Sequence, residues 1–515
     1  MAPPVAPINE SIIQNLVAQD HVKWWNKPNL RRLYLLLVPF CLFIESTSGF
    51  DSSMMNGMQA LVYWKEFFNY PKGGQLGLLV ACYNLGAITS IPFISLVSDH
   101  FGRRKSIVFG SVIMVIGAVM QGLSKNLAMF VFSRIFLGHG IVYAIIAGAA
   151  LLGELGHPKE RAFLGSMFNA FFGVGAVLGA GIVVQTRLIQ SDWSWRLPSI
   201  LQALPSLLQI IFAFTVPESP RWLVSKDRHE EALEILIKYH AEGDASAELP
   251  HVELAEIQSA LKTENESRAR GWGELFQTKG MRHRSLVAAA LGMFVQFSGN
   301  NLISQYFVPI AEKIGITSSY EQVRYNVGKE SWGFLVSLIM ASVTPRFPRR
   351  RMYLLCASCL LAVYTAWTVA QARNRITGSK ASGYAVLVFI FLYQPGEEQS
   401  DDHHQSGILT PSAYCIGYNA LTYVYMVEIF PYYVRTKGLS WFQLFGRTSV
   451  MFGSFVNPIG LENIDWKYLI VYVVWLCFEI IFIYFLFPET YGKTLEELHF
   501  LFESEKEERD QLAAA

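Results

Sequence analysis

The chain has 515 residues, 52% of them hydrophobic, 14% aromatic and only 16% charged, with a mean hydropathy of +0.29. A soluble domain carries about 25% charged residues, so the composition excludes an ordinary soluble enzyme and points to a membrane protein of many spans. The 42 Lys and Arg are balanced by 41 Asp and Glu, and nothing in that balance suggests a nucleic-acid partner.

Residues 1–32 read as a polar tail. The first apolar run starts at Leu33, behind the basic Lys23, Lys27, Arg31 and Arg32. No small-residue cleavage site follows it, so a retained span is expected and not a signal peptide. A crossing needs about 20 apolar residues. Candidate spans lie at 33–54, 76–98, 107–123, 127–150, 163–185, 197–216, 285–310, 331–345, 352–371, 383–393 joined with 413–430, 438–458 and 467–487. That predicts an all-α membrane protein of twelve helices, six in 33–216 and six in 285–487. Between them, 217–284 reads as a linker with short amphipathic helices, one of them within Arg228–Glu242, and 488–515 as a second tail. Arg103-Arg104-Lys105 and Arg349-Arg350-Arg351 stand at span ends on one side, which places both tails and the linker in the cytoplasm.

Some charges lie inside apolar runs. A carboxylate or guanidinium at membrane depth costs about 2.5–3.5 kcal/mol on insertion scales. Asp51, in Gly49-Phe50-Asp51-Ser52-Ser53, therefore needs a partner or a task, and so do Arg134 in the fourth run and Arg447 in the eleventh. The six cysteines all fall in apolar segments and read as small buried hydrophobes; no metal site and no cofactor motif is expected.

The halves echo each other, as transporters built from repeats do. Asp99 through Lys105 follows the second run, and Arg346 through Arg351 follows the eighth. Glu154 precedes Arg161 by seven residues, as Glu428 precedes Arg435. Pro217-Glu218 is matched by Pro488-Glu489. The offset from Arg103 to Arg350 is 247, but from Glu154 to Glu428 it is 274. The excess maps to 394–412, a stretch with four acids, two histidines and two prolines that splits an apolar run. It reads as an insertion, either an unspliced segment of the transcript or a loop bulging out of the tenth span.

These motifs resemble the sugar porter family of the major facilitator superfamily over nearly the whole chain. The matching stretches are Gly49-Phe50-Asp51, Gly102-Arg103-Arg104, Ser133 through Gly138, Glu154 through Arg161, Trp195-Arg196-Leu197-Pro198, Pro217 through Leu223, Gln296 through Asn301, Tyr425 through Gly438 and Pro488-Glu489-Thr490. Ser298-Gly299-Asn300 and Gly417 through Tyr423 look most like the fungal lactose and cellodextrin permease branch.

The resemblance implies a fold of two six-helix bundles and import of a sugar with a proton by alternating access. The expected substrate is a disaccharide such as lactose or cellobiose, and the expected setting is a monomer in the bilayer of the plasma membrane. It pairs Asp51 with Arg134: when the arginine swings away, the buried carboxylate loses its counter-charge and takes a proton. It makes Asp99, Arg103, Arg104, Glu154 and Arg161 a latch at the cytoplasmic helix ends, with Arg349, Arg350, Glu428 and Arg435 as its second-half counterpart. Amides inside apolar spans, Asn169, Gln296, Asn300, Asn301 and Asn419, are expected to hold the sugar hydroxyls, with Tyr306 and Tyr423 as ring faces; of these the resemblance carries over Gln296 and Asn301. Arg447 either joins this site or snorkels to the interface.

The chain departs from the family pattern at several points. Asn169 replaces the usual glutamine, Val295 and Gln305 replace a glutamine and a tyrosine, Tyr423 stands where hexose carriers place a tryptophan, and Pro348 where a glycine is usual. Val295, Gln305 and Arg447 keep open a carrier of another polyol, organic acid or secondary metabolite. A non-transporting sugar sensor is a third reading, disfavoured by the short stretch after Pro488. An enzyme is not expected, because no polar cluster with catalytic geometry stands outside the spans.

Overall fold

The computed structural model describes residues 15–268, 271–343, 347–393, 413–430 and 434–491. The expected insertion, most of the tail after 491 and the first 14 residues therefore lie outside the described residues. Among those described there is no strand. We number the crossing helices α1–α12.

The first half contains α1 (Pro28–Met58), α2 (Gly73–Phe101), α3 (Arg103–Gly122), α4 (Leu127–Leu155), α5 (Arg161–Thr186) and α6, which is built from Trp193–Leu201 and Ala203–Phe212. The second half contains α7 (Lys279–Lys313), α8 (Ser319–Val343), α9 (Arg349–Thr377), α10 in the pieces Lys380–Tyr393 and Tyr418–Ile429, α11 (Arg435–Ile464) and α12 (Tyr468–Leu486). Eight stretches among the described residues are long and apolar enough to cross a membrane by themselves, and one of them, Lys437–Leu486, takes in most of α11 and all of α12. The others, α6, α8 and α10, are interrupted or carry charges.

Three expected spans need correction. The span 197–216 is broken at Gln202, between the two pieces of α6. The span 285–310 begins earlier, at Lys279, inside the expected linker, and breaks at Gly299. Gly299 has φ +113, and a Cβ there would run into the Tyr364 hydroxyl. Only glycine suits such backbone without strain. The span 331–345 begins at Ser319. Its first half carries Glu321, Arg324, Lys329 and Glu330, which hid it from a hydropathy reading. α1 also starts five residues early, at Pro28, and passes through a short π-helical stretch, Val38–Leu42. Pro39 has no N–H for the regular ladder, which accounts for the local change of pitch.

Glycine sets the helix spacing in the first half. A Cβ on Gly49 of α1 would meet the backbone of Phe172 on α5, and one on Gly138 of α4 the backbone of Tyr83 on α2. Helices that cannot use the hydrophobic effect against lipid associate by such close approaches. These contacts bring α1, α2, α4 and α5 around one point.

The halves meet through α2 with α11 and α5 with α8. Hydrogen bonds that cross between them include Asn56 Nδ2 to Asn326 Oδ1 (3.1 Å), Gln59 Nε2 to the Gln305 carbonyl (2.8 Å) and Gln305 Nε2 to Ser52 Oγ (3.2 Å). The Lys65–Glu312 ion pair joins them further out. All lie toward the end of α1 away from the linker, which we call the far face.

The linker docks on the opposite face. His229–His240 falls within the expected Arg228–Glu242, beside the helices Pro220–Ser225 and Glu248–Arg268. Glu242 accepts the backbone N–H groups of Asn29 and Leu30 at 2.9 Å each, capping α1. His240 ties Glu253 (2.6 Å) to the Leu155 carbonyl (3.2 Å) at the end of α4. On the same face, burial alone would push the Asp20 carboxyl up, but its hydrogen bond and ion pair with Lys27 (2.6 Å) outweigh that and hold it below its ordinary range.

Candidate functional site

A cavity of about 340 Å³ lies between the halves. Its size falls at the low end of the usual range for small-ligand sites, about 300–1,000 Å³. α1 contributes Glu45, Ser48, Asp51 and Ser52 to its wall, at helical spacing on one face.

Asp51 is 5% exposed and Arg134 2% exposed. Arg134 Nη1 donates to Asp51 Oδ1 at 2.6 Å, and the guanidinium lies over the Tyr83 ring, 5.2 Å from its centroid. Arg134 Nε is buried without a partner among the described residues. The close glycine contacts seat the two helices that carry this pair, α1 on α5 at Gly49 and α4 on α2 at Gly138. Two buried charges survive at membrane depth only when paired, and removal of one partner leaves an uncompensated charge.

The second half supplies amides. Gln296, Asn300 and Asn301 all line the cavity, with Ser304 and Gln305 beyond the break at Gly299. Asn300 Nδ2 donates to Tyr414 Oη (3.2 Å), and Tyr414 Oη donates to the Val295 carbonyl (2.9 Å). Asn301 Nδ2 donates to the Val450 carbonyl (2.9 Å) and Ser454 Oγ (3.2 Å), so it also stitches α7 to α11. Arg447 faces the cavity from α11. Tyr306 does not: it is fully buried, its hydroxyl donates to the Ser454 carbonyl, and the backbone kinks there with φ −127. That kink and the break at Gly299 turn its ring from the cavity into the α7–α11 contact. Tyr83, Tyr414 and Tyr418 line the cavity in its place. Asn169 lies on α5 and Asn419 and Tyr423 on α10, but their side chains lie outside those described.

Several wall groups escaped the sequence reading. Glu45 lies in the same apolar run as Asp51, six residues earlier, and intramembrane charge was the signal that could have found it. Lys329 and Glu330 form an ion pair of 2.8 Å on α8, with Lys329 wholly buried. They lie just before the span expected at 331–345. Glu479, fully buried on α12, accepts a hydrogen bond of 2.7 Å from the wall residue Tyr418.

At the linker face the two halves build the same polar cluster. Arg103 reaches Glu154 (3.4 Å) and Asp99 (3.7 Å), while Glu218 accepts the backbone N–H groups of Arg103 (3.0 Å) and Arg104 (3.2 Å) at the start of α3. Ser219 donates to Glu154. In the second half Arg349 reaches Glu428 (3.2 Å), and Glu489 accepts the N–H groups of Arg349 (2.8 Å) and Arg350 (3.2 Å) at the start of α9. Thr490 donates to Glu428. The counterpart of Arg103 is thus Arg349, one residue earlier than the repeat spacing suggests. Arg104 and Arg350 instead bond the carbonyls of Val216 (3.2 Å) and Tyr484.

Arg161 also departs from expectation. It reaches Glu253 of the linker at 3.7 Å, not Glu154, because the docked linker helix brings that acid over the start of α5. The Arg435 side chain lies outside those described. Glu218→Gln removes a charged acceptor shared by two helix N-terminal donors. We expect it to cost about 1–3 kcal/mol, read as a lower unfolding temperature in detergent, with Glu489→Gln behaving alike.

The chain matches the family described as "Sugar (and other) transporter" over residues 38–397 and 407–502. The unmatched residues 398–406 lie inside the stretch 394–412. It is 24% identical over 474 residues to the MFS-type transporter criB of Aspergillus cristatus, covering 91% of this chain and 94% of that one. It is 27% identical over 476 residues to a high-affinity glucose transporter of Kluyveromyces lactis, covering 87% and 81%. Among solved structures, it superposes on XylE of E. coli, described as an MFS proton:xylose symporter bound to 6-bromo-6-deoxy-D-glucose, with TM-score 0.71, 20% identity and coverage of 92% and 100%.

Proposed function

We infer, from the premise that this chain belongs to the sugar porter family of the major facilitator superfamily, that it carries a neutral sugar and a proton together across a membrane by alternating access. Membership makes it a multi-pass membrane transporter and not an enzyme. The observation that carries the finer reading is the buried Asp51–Arg134 pair on the wall of an amide-lined cavity between the halves.

The chemistry follows from the wall. Gln296, Asn300 and Asn301 offer both donors and acceptors to hydroxyls, and Tyr83, Tyr414 and Tyr418 offer ring faces to C–H surfaces. Asn169 on α5 and Asn419 and Tyr423 on α10 belong to elements that flank the same cavity, and we keep them with Arg447 in the proposed site. The walls carry three acids and three bases, a balance that suits an uncharged ligand. The volume suits one or two sugar rings, and we propose a disaccharide such as lactose or cellobiose. In the coupled cycle the sugar parts Asp51 from Arg134, the carboxylate takes a proton, and the neutral wall allows the halves to rock. The Arg103–Glu154 and Arg349–Glu428 clusters then act as latches at the linker face, which we place in the cytoplasm of a cell's plasma membrane. A single chain carries all these parts, so a monomer suffices.

Uptake of labelled glucose, xylose, lactose and cellobiose by a transport-null host, with and without a protonophore, tests this. Accumulation of one of them that the protonophore abolishes is the expected result. Uptake unchanged by the protonophore would leave facilitated diffusion. Uptake of none would favour the carrier of an acid or secondary metabolite.

A further inference from the structure

The three acids and three bases on the cavity wall do not all pair. Asp51–Arg134 and Lys329–Glu330 are each closed within one half, at 2.6 and 2.8 Å. Glu45 and Arg447 come from opposite halves, on α1 and α11, and both line the cavity. Neither side chain makes an ion pair or a hydrogen bond to any described residue. A guanidinium at this depth without a partner among the described residues is costly, and Glu45 is the acid on the same cavity wall that no described residue has claimed.

Their position gives the pair a direction. The halves are pinned at the far face, where Gly77 of α2 packs on the backbone of Ser454 and Phe455 of α11 and Asn56 bonds Asn326. Glu45 lies nearer the linker face than Asp51 along α1, and Arg447 nearer that face than Ser454 along α11. A hinge at one end and facing charges toward the other means that rocking shuts the gap between them.

We propose that Glu45 and Arg447 close into an ion pair across the two halves when the cavity shuts toward the linker face, and that a proton on Glu45 prevents that closure. The proposal rests on the alternating-access reading above. It adds a second titratable carboxylate to the cycle, distinct from Asp51 because its partner lies in the other half. The surroundings leave Arg447 as its natural counterpart. Arg134 from α4 is already paired with Asp51, and Lys329 from α8 with Glu330. α2 presents the Tyr83 hydroxyl, α5 presents Phe172, Gly173 and Ala176, and the Ala203–Phe212 piece of α6 carries no titratable side chain.

A test need not depend on the sugar. Ser48, one turn from Glu45 on the wall, is changed to Cys in the full chain, with Cys359 and Cys477 changed to Ser. An impermeant thiol reagent is added from the linker side of membrane vesicles. At pH 8, Glu45→Gln and Arg447→Gln should each raise the labelling rate roughly fivefold, within the usual range of coupling between sites. The exchanged pair, Glu45→Arg with Arg447→Glu, should return the rate to that of the parent. At pH 5 the Glu45→Gln and parent rates should converge, a ratio in which thiol chemistry cancels. Equal labelling of Glu45→Gln and parent at pH 8 would overturn the proposal. So would an exchanged pair that labels like the single variants, or an Arg447→Gln variant that loses only the uptake of acidic sugars. If labelling behaves as expected but the parent accumulates no sugar, the pair stands and the proposed function fails.

Discussion

Asp51→Asn is expected to reduce proton-driven sugar accumulation to the level of protein-free vesicles while sugar exchange at equal concentrations persists. The side chain keeps its size and its acceptor oxygen, so the cavity keeps its shape, but it no longer titrates. Net uphill uptake needs a group that carries the proton in one stroke and returns without it; exchange needs only the loaded carrier. The same change leaves Arg134 buried without its 2.6 Å partner. Breaking a buried pair from one side costs about 3–5 kcal/mol, so the variant should also unfold at a lower temperature. Asp51→Asn with Arg134→Gln removes both charges and should recover part of that stability without recovering accumulation. This split separates coupling from folding. Normal uphill uptake by Asp51→Asn would show that the pair is a static brace.

The second large effect is expected at Gly138. A Cβ there points into the backbone of Tyr83, and no rotamer change relieves a clash with backbone. Gly138→Val therefore forces α4 away from α2. Overpacking costs about 1–3 kcal/mol and occasionally more. Arg134 stands one turn before Gly138 on the same face of α4, so the displacement also draws its guanidinium from Asp51 and from the Tyr83 ring. We expect lower thermal stability in detergent together with loss of coupled uptake. Gly153→Val on the same helix is the control, since a Cβ there meets nothing within 4 Å; it should change neither measurement.

The two effects are linked through one geometry. Glycine contacts set the α1–α5 and α2–α4 separations, these separations place Asp51 against Arg134, and the pair faces the amides of the broken helix α7. The chain of dependence runs from backbone packing to the buried ion pair and only then to the cavity.

How much of this is legible in the chain alone is decided by the range of each interaction. Helical class follows from local hydropathy, and the paired motifs at Glu218 and Glu489 from repeat spacing, so the sequence determines them unaided. Asp51 and Arg134 stand out because the membrane makes an unpaired charge expensive wherever it falls. The tertiary structure alone decided the rest. It turned Tyr306 inward, since the break at Gly299 and the kink at Tyr306 rotate α7 in a way periodicity does not show. It gave Arg161 to Glu253, because the linker folds back over α5 across a long sequence separation. It moved Lys329 and Glu330 into the wall of the cavity, where two charges neutralise each other and hydropathy counts only their cost. It also set Glu45 opposite Arg447, two residues about 400 positions apart whose relation exists only once two bundles enclose the space between them.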